Sequence, residues 1–339
     1  MHNNTTMIML LITMSIGTML SICSNSWLGV WMGLEVNLLA FMPLLSNNNE
    51  MMMNETSMKY FLIQTLGSTA ILFSVTSLQM KTLNGYEETL FNVFIYSSLI
   101  LKLGASPFHM WFVEVMGATM WINCMILMTW QKVAPMCILP YCKMIEKLLV
   151  VIVIASIFIG TIGGLNQTST RQMLAFSSIS HMGWMMMAII VSETMWEMYF
   201  LTYSIVSLTA ATMMNKNSLF SINQMSNSNT KNKMNKMIII LSILSLGGLP
   251  PFTGFFPKWM VIQLMIENNM TAMMTAMIMM TSVNLYFYIR IGFSSFMLTS
   301  TEIKWNLTQE EVKKSDWLST MCLMSTVGMI SITSITNFM

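Results

Sequence analysis

The sequence predicts an all-α polytopic membrane protein, and three observations carry that reading. Only 9% of its 339 residues are charged, against about 25% in a typical soluble domain. Hydrophobic residues make up 55%, and the mean hydropathy is +0.63. Apolar runs of roughly 20 residues recur from end to end, the length of a helix that crosses a bilayer core. The alternating segments of about ten residues that build a transmembrane barrel do not occur in the sequence.

Taken in order, the apolar runs place helices near residues 7–23, 26–46, 58–80, 91–115, 118–140, 148–166, 171–192, 195–214, 237–262, 270–297 and 317–337, eleven spans in all. Met1 to Thr6 lacks the Arg-rich amphipathic pattern of an import peptide, and no small-residue cleavage site follows the first run, so the first span is expected to be retained. The connections are short apart from the polar stretch Asn215 to Lys236 and the charged, amphipathic stretch Thr299 to Asp316, which leaves no room for a second folded domain. Residues 1–339 are therefore expected to form one membrane domain. An odd number of spans puts the termini on opposite sides, and basic residues decide which is which. Lys59, Arg171, Lys216, Lys231, Lys233, Lys236, Lys304, Lys313 and Lys314 share the N-terminal side, against Lys81, Lys143 and Lys147 on the other. Nine against three puts the N-terminus on the negative side, which is the matrix if the membrane is the mitochondrial inner one.

Composition also removes whole classes of function. The net charge is +2 and no basic run is interleaved with exposed aromatics, so nucleic acid is not a partner. Cys23, Cys124, Cys137, Cys142 and Cys322 lie in or beside apolar segments without CxxC spacing, and read as small buried side chains. His2, His109 and His181 are too far apart for a local metal motif. GxGxxG, GxxxxGK and GxSxG are absent, so no nucleotide or acyl-transfer site is expected. The 44 Met occupy places where Leu or Ile would pack as well, the bias of a code such as that of animal mitochondria, which reads an extra codon as Met. A soft, Met-rich core is the alternative reading.

Five ionisable residues stand well inside apolar segments: Glu35, Lys102, His109, Lys132 and Lys258. Each charged one costs about 2.5–3.5 kcal/mol at a helix centre on insertion scales, so several together need a reason, and an ion or proton path is the default one. Structural ion pairs are the alternative for any single residue, but three lysines against one carboxylate leave charge unpaired. Two of the lysines sit beside helix breakers. In Leu101-Lys102-Leu103-Gly104-Ala105-Ser106-Pro107-Phe108-His109, Pro107 removes a donor and frees carbonyls near mid-membrane. In Leu246-Gly247-Gly248-Leu249-Pro250-Pro251-Phe252, the breakers Gly247, Gly248, Pro250 and Pro251 come together, with Lys258 two turns later.

These are the fourth and ninth spans, five apart, so they cross in opposite directions. Discontinuous helices near 101–109 and 246–258 in that relation are expected of two inverted five-helix repeats, 7–140 and 148–297, with 317–337 left over. Desolvation disfavours a charged amine, which brings a buried lysine toward proton exchange, and a nearby carboxylate favours the charged form. Changing the separation of Glu35 and Lys102 then loads or unloads the lysine. His109 and His181 are possible further relays, with hydrogen-bonded packing as the alternative for both; His181 lies among Ser177, Ser178 and Ser180. Glu114 reads as an interfacial carboxylate, and Arg171 and Arg290 as snorkelling cations.

The runs Trp31-Met32-Gly33-Leu34-Glu35-Val36-Asn37, Lys102 to Trp111, Thr129-Trp130-Gln131-Lys132-Val133-Ala134-Pro135, Leu174 to Trp184 and Gly247 to Trp259 closely resemble the antiporter-like membrane subunits of NADH:ubiquinone oxidoreductase, respiratory complex I. Thr129-Trp130-Gln131-Lys132, and Lys rather than Glu at 258, resemble the chain 2 family more than chain 4. The resemblance covers roughly residues 10–300. It implies a translocase subunit of the mitochondrial inner membrane that helps move protons from matrix to intermembrane space, with Glu35 and Lys102 as a coupling pair, Lys132 as central relay and Lys258 as exit-side relay. It implies no cofactor on this chain, since NADH, FMN, iron–sulfur clusters and ubiquinone belong to other subunits. Its implied partners are antiporter-like chain 4, small membrane chains of the 4L type, accessory subunits and phospholipid. One span before Glu35 matches the shortened animal form, and Val113 stands where the family often has a second proline. The residues alone also fit a free-standing cation/proton antiporter, or a non-conducting spacer within a complex.

Overall fold

The computed structural model describes residues 4–46, 51–80, 85–142, 146–227 and 233–297. The span expected at 317–337, the stretch 299–316 and the side-chain positions of Lys81, Lys143, Lys231, Lys304, Lys313 and Lys314 lie outside the described residues. Within them every regular element is helical, apart from a single bridge between Ser169 and Ser221. Seven helical stretches, one of them Trp121–Tyr141 running through a division, are long and apolar enough to cross a membrane. Packing of the backbone divides the chain into two units, Met1–Ile152 and Val153–Met339, with the boundary inside one helix.

The first unit holds α1 (Asn4–Cys23), α2 (Trp27–Leu45), α3 (Met51–Gln79), α4 (Gly85–Leu103), α5 (Met110–Ala118), α6 (Trp121–Met128), α7 (Trp130–Ile138), a 3-10 turn (Leu139–Tyr141) and the start of α8 (Glu146–Leu165). Helices α1 and α2 approach through small residues. A Cβ on Gly33 would lie 2.5 Å from the Ser21 nitrogen, and one on Gly17 would lie 2.9 Å from the Asn37 nitrogen. Such contact is how helices associate where no water drives them together. Ser26 caps α2, its hydroxyl accepting from the Gly29 amide at 3.2 Å.

The second unit holds the rest of α8, then α9 (Thr170–Val191), α10 (Glu193–Lys216), α11 (Ile222–Asn227), α12 (Lys233–Gly247), α13 (Phe255–Glu267) and α14 (Thr271–Met297). Helix α9 is buried on nearly all sides, as befits the central helix of a unit. Its mid-helix hydroxyls are satisfied by their own helix: Ser177, Ser178 and Ser180 each donate to the carbonyl three residues back at 2.7–2.8 Å.

Several element limits differ from the sequence expectation. Helix α3 starts at Met51, seven residues before the expected start at 58, because its first turns carry the polar Asn54, Glu55, Thr56, Ser57 and Lys59, which hydropathy discounts and helix geometry does not. The expected helix at 118–140 is divided at Thr129 (φ −112°, ψ −71°). At the division the Lys132 N–H bonds to the Thr129 carbonyl three residues back at 3.3 Å, and further along Pro135 has no N–H to return to the carbonyl of Gln131. The polar connection 215–236 contains α11, whose start is held by the Gln224 side-chain oxygen accepting from the Phe220 and Ser221 amides at 2.8 and 3.2 Å. Helix α5 runs without interruption through Val113.

The Gly33 contact is with backbone and cannot be relieved by a rotamer change. Gly33→Val is expected to push α1 from α2 at a cost of about 1–3 kcal/mol. Thermal unfolding in detergent checks this, and an unchanged midpoint would contradict the close approach.

Candidate functional site: buried lysines at broken helices

At the end of α4 the chain leaves the helix through Gly104, whose φ of +69° is a left-handed conformation open to glycine. Two backbone bonds of a Schellman cap close the turn, Ala105 N–H to the Ile100 carbonyl at 3.3 Å and Gly104 N–H to the Leu101 carbonyl at 3.1 Å. Side chains supply the rest. Trp111 Nε1 donates to the Leu101 carbonyl at 3.0 Å, and Gln64 Nε2 to the Lys102 carbonyl at 3.3 Å. The break therefore leaves Lys102 in the last turn of α4, 7% exposed, with its backbone tied to α3 and α5. Gly67 of α3 makes room for its stem: a Cβ there would lie 3.2 Å from Lys102 Cγ.

Lys132 follows the division at Thr129 and is 2% exposed. Its Nζ stands over the Phe112 ring, 5.3 Å from the centroid, a cation–π contact that offsets part of the desolvation cost. Phe112 belongs to the same break as Lys102, because a Cβ on Gly104 would lie 2.8 Å from the Phe112 Cβ. Both lysines line one cavity of about 20 Å³, together with Asn37, Tyr60, Gln64 and Gln131. One water needs roughly 10–15 Å³ and two to four polar partners, and both conditions are met. Glu35 lies outside that lining, on α2. Its Oε2 is buried without a hydrogen-bond partner, and no ion pair within 4.0 Å joins it to Lys102 among the described residues.

The second unit repeats the motif with the order reversed. Helix α12 ends through Gly248 (φ +82°), whose N–H returns to the Ser245 carbonyl at 3.1 Å. Lys258, in the first turns of α13, reaches back so that Nζ donates to the Gly247 carbonyl at 2.8 Å and the Leu246 carbonyl at 3.5 Å. A cation at a helix C-terminus also meets the negative end of its dipole. Gly254 allows this fold-back, since a Cβ there would overlap the Ser245 carbonyl oxygen.

The sequence search for charges finds Lys102 and Lys132 in one cavity, and finds Lys258 on its own break in the second unit. His109 is not part of the cavity lining: the break intervenes, and the residue precedes α5, with Nδ1 3.1 Å from the Pro107 carbonyl. His181 is buried, its Nδ1 2.9 Å from the Tyr199 hydroxyl and its ring 5.1 Å from that of Tyr203. Glu114 pairs with Lys59 at 2.8 Å on an exposed surface. Arg171 covers the Phe220 ring.

The search missed the uncharged groups. Asn37, Gln64 and Gln131 stand in apolar runs and line the cavity, and Tyr199, Tyr203 and Tyr288 gather beside Ser177, Ser178 and His181. Amides within such runs were the available signal.

The arrangement of broken helices and enclosed lysines is that of an ion-translocating membrane subunit. The family model described as NADH:quinone oxidoreductase/Mrp antiporter, transmembrane, matches residues 24–284, and the chain belongs to that family. It is 44% identical over 331 residues to NADH-ubiquinone oxidoreductase chain 2 of Locusta migratoria, covering 97% of each chain. It is 35% identical over 340 residues to chain 2 of Oryctolagus cuniculus, covering 96% of each. Among solved structures it resembles a chain of respiratory complex I from Thermus thermophilus, with a TM-score of 0.83, 20% identity, and coverage of 96% of this chain and 77% of that one.

Gly248 combines a positive φ with contact to the amine, its Cβ position lying 2.9 Å from Lys258 Nζ. Gly248→Ala is expected to cost about 1–2 kcal/mol, the penalty of a side chain in this conformation. Thermal unfolding in detergent measures it, and a neutral result would remove the cap from the account of α12.

Proposed function

We propose that this chain is a core antiporter-like subunit in the membrane arm of respiratory complex I, the proton-translocating NADH:ubiquinone oxidoreductase, and that Glu35, Lys102, Lys132 and Lys258 carry its protons. Membership of the family and full-length similarity to chain 2 relatives support the first half. One observation carries the second: Lys102 and Lys132 line one cavity large enough for a water.

A proton moves between two amines when one is charged, the other neutral, and a polar bridge connects them. Burial brings the ammonium toward release. The Glu35 charge favours the loaded state of Lys102, so a change in their separation passes the proton toward Lys132. Lys258, held by the carbonyls of the α12 break, hands it onward. His181 and its hydroxyl neighbours are a further candidate step.

The topology proposed is eleven spans in two inverted five-helix repeats. Leaving out the six-residue α11 and counting α4 with α5, α6 with α7, and α12 with α13 gives ten within the described residues, and left-handed glycines at both breaks support the repeat. The Met bias and the basic-residue count support a mitochondrial inner membrane with the N-terminus in the matrix. Chain 4 and 4L-type chains are the proposed neighbours, with NADH, FMN, iron–sulfur clusters and ubiquinone held elsewhere in the complex.

Lys102→Met or Lys258→Met is expected to lower NADH-driven pumping at least roughly ten-fold, since a proton-transferring group contributes about 10²–10⁴, while the complex still assembles. Full proton yield per NADH in either variant favours the non-conducting spacer. Glu35→Gln is expected to weaken coupling in the same assay, and normal yield there removes the pair mechanism. Purification as a lone protein or homodimer, rather than with a large NADH-oxidising assembly, favours the free antiporter.

A further inference from the structure

The cavity wall between the lysines is made by carboxamides, and one of them is tied on three sides. Gln131 directly precedes Lys132 on α7. Its Nε2 donates to Asn37 Oδ1 on α2 at 3.1 Å and to Met14 Sδ on α1 at 3.3 Å, while its Oε1 lies 3.5 Å from the Tyr60 hydroxyl on α3. Asn37 is buried, two residues beyond Glu35. The carbonyl of Gln131 is the one that Pro135 leaves without its helical donor, so the backbone here is not held by the α7 ladder alone.

Three consequences follow from this placement. The side chain of Gln131 fixes the start of α7, and with it the direction in which Lys132 leaves the backbone. Its partner sits on the helix that carries Glu35, so the carboxylate and the lysine are tied to one hydrogen bond. Both amides also line the cavity that Lys102 and Lys132 reach. Neutral amides keep that wall polar without adding a charge that would trap the proton.

We propose that Gln131 is a positioning residue for the proton step between Lys102 and Lys132, its carboxamide clamping the start of α7 to Asn37 on the Glu35-bearing helix. The proposal rests on the reading of these lysines as proton carriers, and the test separates the two.

The assembled complex in sealed membrane vesicles is measured for protons moved per NADH, with NADH oxidation by an artificial acceptor reporting how much complex is present. The variants are Gln131→Met, Asn37→Leu, their combination, the reciprocal swap Asn37→Gln with Gln131→Asn, and Lys132→Met. Each single amide variant is expected to lose about two- to ten-fold in proton yield, the range set by one neutral hydrogen bond, with the artificial-acceptor rate retained. The combination should be no worse than the poorer single variant, and the swap, which restores an amide pair of the same total length, should recover the yield. Full yield in Gln131→Met beside a deficient Lys132→Met overturns the clamp and leaves the relay. Full yield in Lys132→Met overturns the relay itself. Losses that multiply in the combination, or a parallel fall in both measurements, mean that the amides act separately or only in packing, and either overturns the clamp.

Discussion

A backbone carbonyl freed inside hydrocarbon has no water to turn to and must find its donor within the protein. Every functional feature of this chain grows from that constraint. At the end of α4 the demand is met by the Gly104 and Ala105 amides, the Trp111 indole and the Gln64 amide. At the end of α12 it is met by the Gly248 amide and by the ammonium of Lys258. Breaking a helix thus recruits polar side chains into the interior, and those side chains form the site.

The two solutions differ in a way that bears on chemistry. Lys258 is itself the donor to the exposed carbonyls, so its amine is fixed by the break. Around Lys102 the carbonyls are taken by other groups, which leaves the amine facing the cavity it shares with Lys132. An amine that caps a helix is held by dipoles that do not titrate. An amine facing a water-sized space beside a second amine can change partner. The same residue type is thus held by the break in one position and left beside a cavity in the other.

Much of this was legible in the sequence. Glycine and proline beside Lys102 and Lys258 mark both breaks, because a missing N–H and a left-handed cap are local properties. The eight runs expected from 7 to 214 and the two from 237 to 297 coincide with helices within a few residues, apart from the starts of α3 and α4, because apolar length is a local property too. The division at Thr129 has no local sign in the apolar pattern, which runs unbroken from Trp121 to Met128 on one side and resumes at Trp130 on the other. His109 follows Lys102 by seven residues, but the turn at Gly104 removes the helical periodicity that would put the two on one face. Gln64, Asn37 and Gln131 were passed over because each carries no charge, and what makes them functional is convergence from α2, α3 and α7, which only tertiary structure supplies.

That convergence also explains why the wall is built from amides. A carboxylate beside Lys102 or Lys132 would form a tight pair, and a tightly paired buried charge is costly to separate. An aliphatic wall would leave a water in the cavity without the two to four partners it needs. Asparagine and glutamine avoid both failures: they donate and accept, they lose no charge on burial, and their hydrogen bonds to Met14, Asn37 and the Lys102 carbonyl fix where those donors point. Glu35 stands outside that wall on α2, with no ion pair to Lys102 among the described residues.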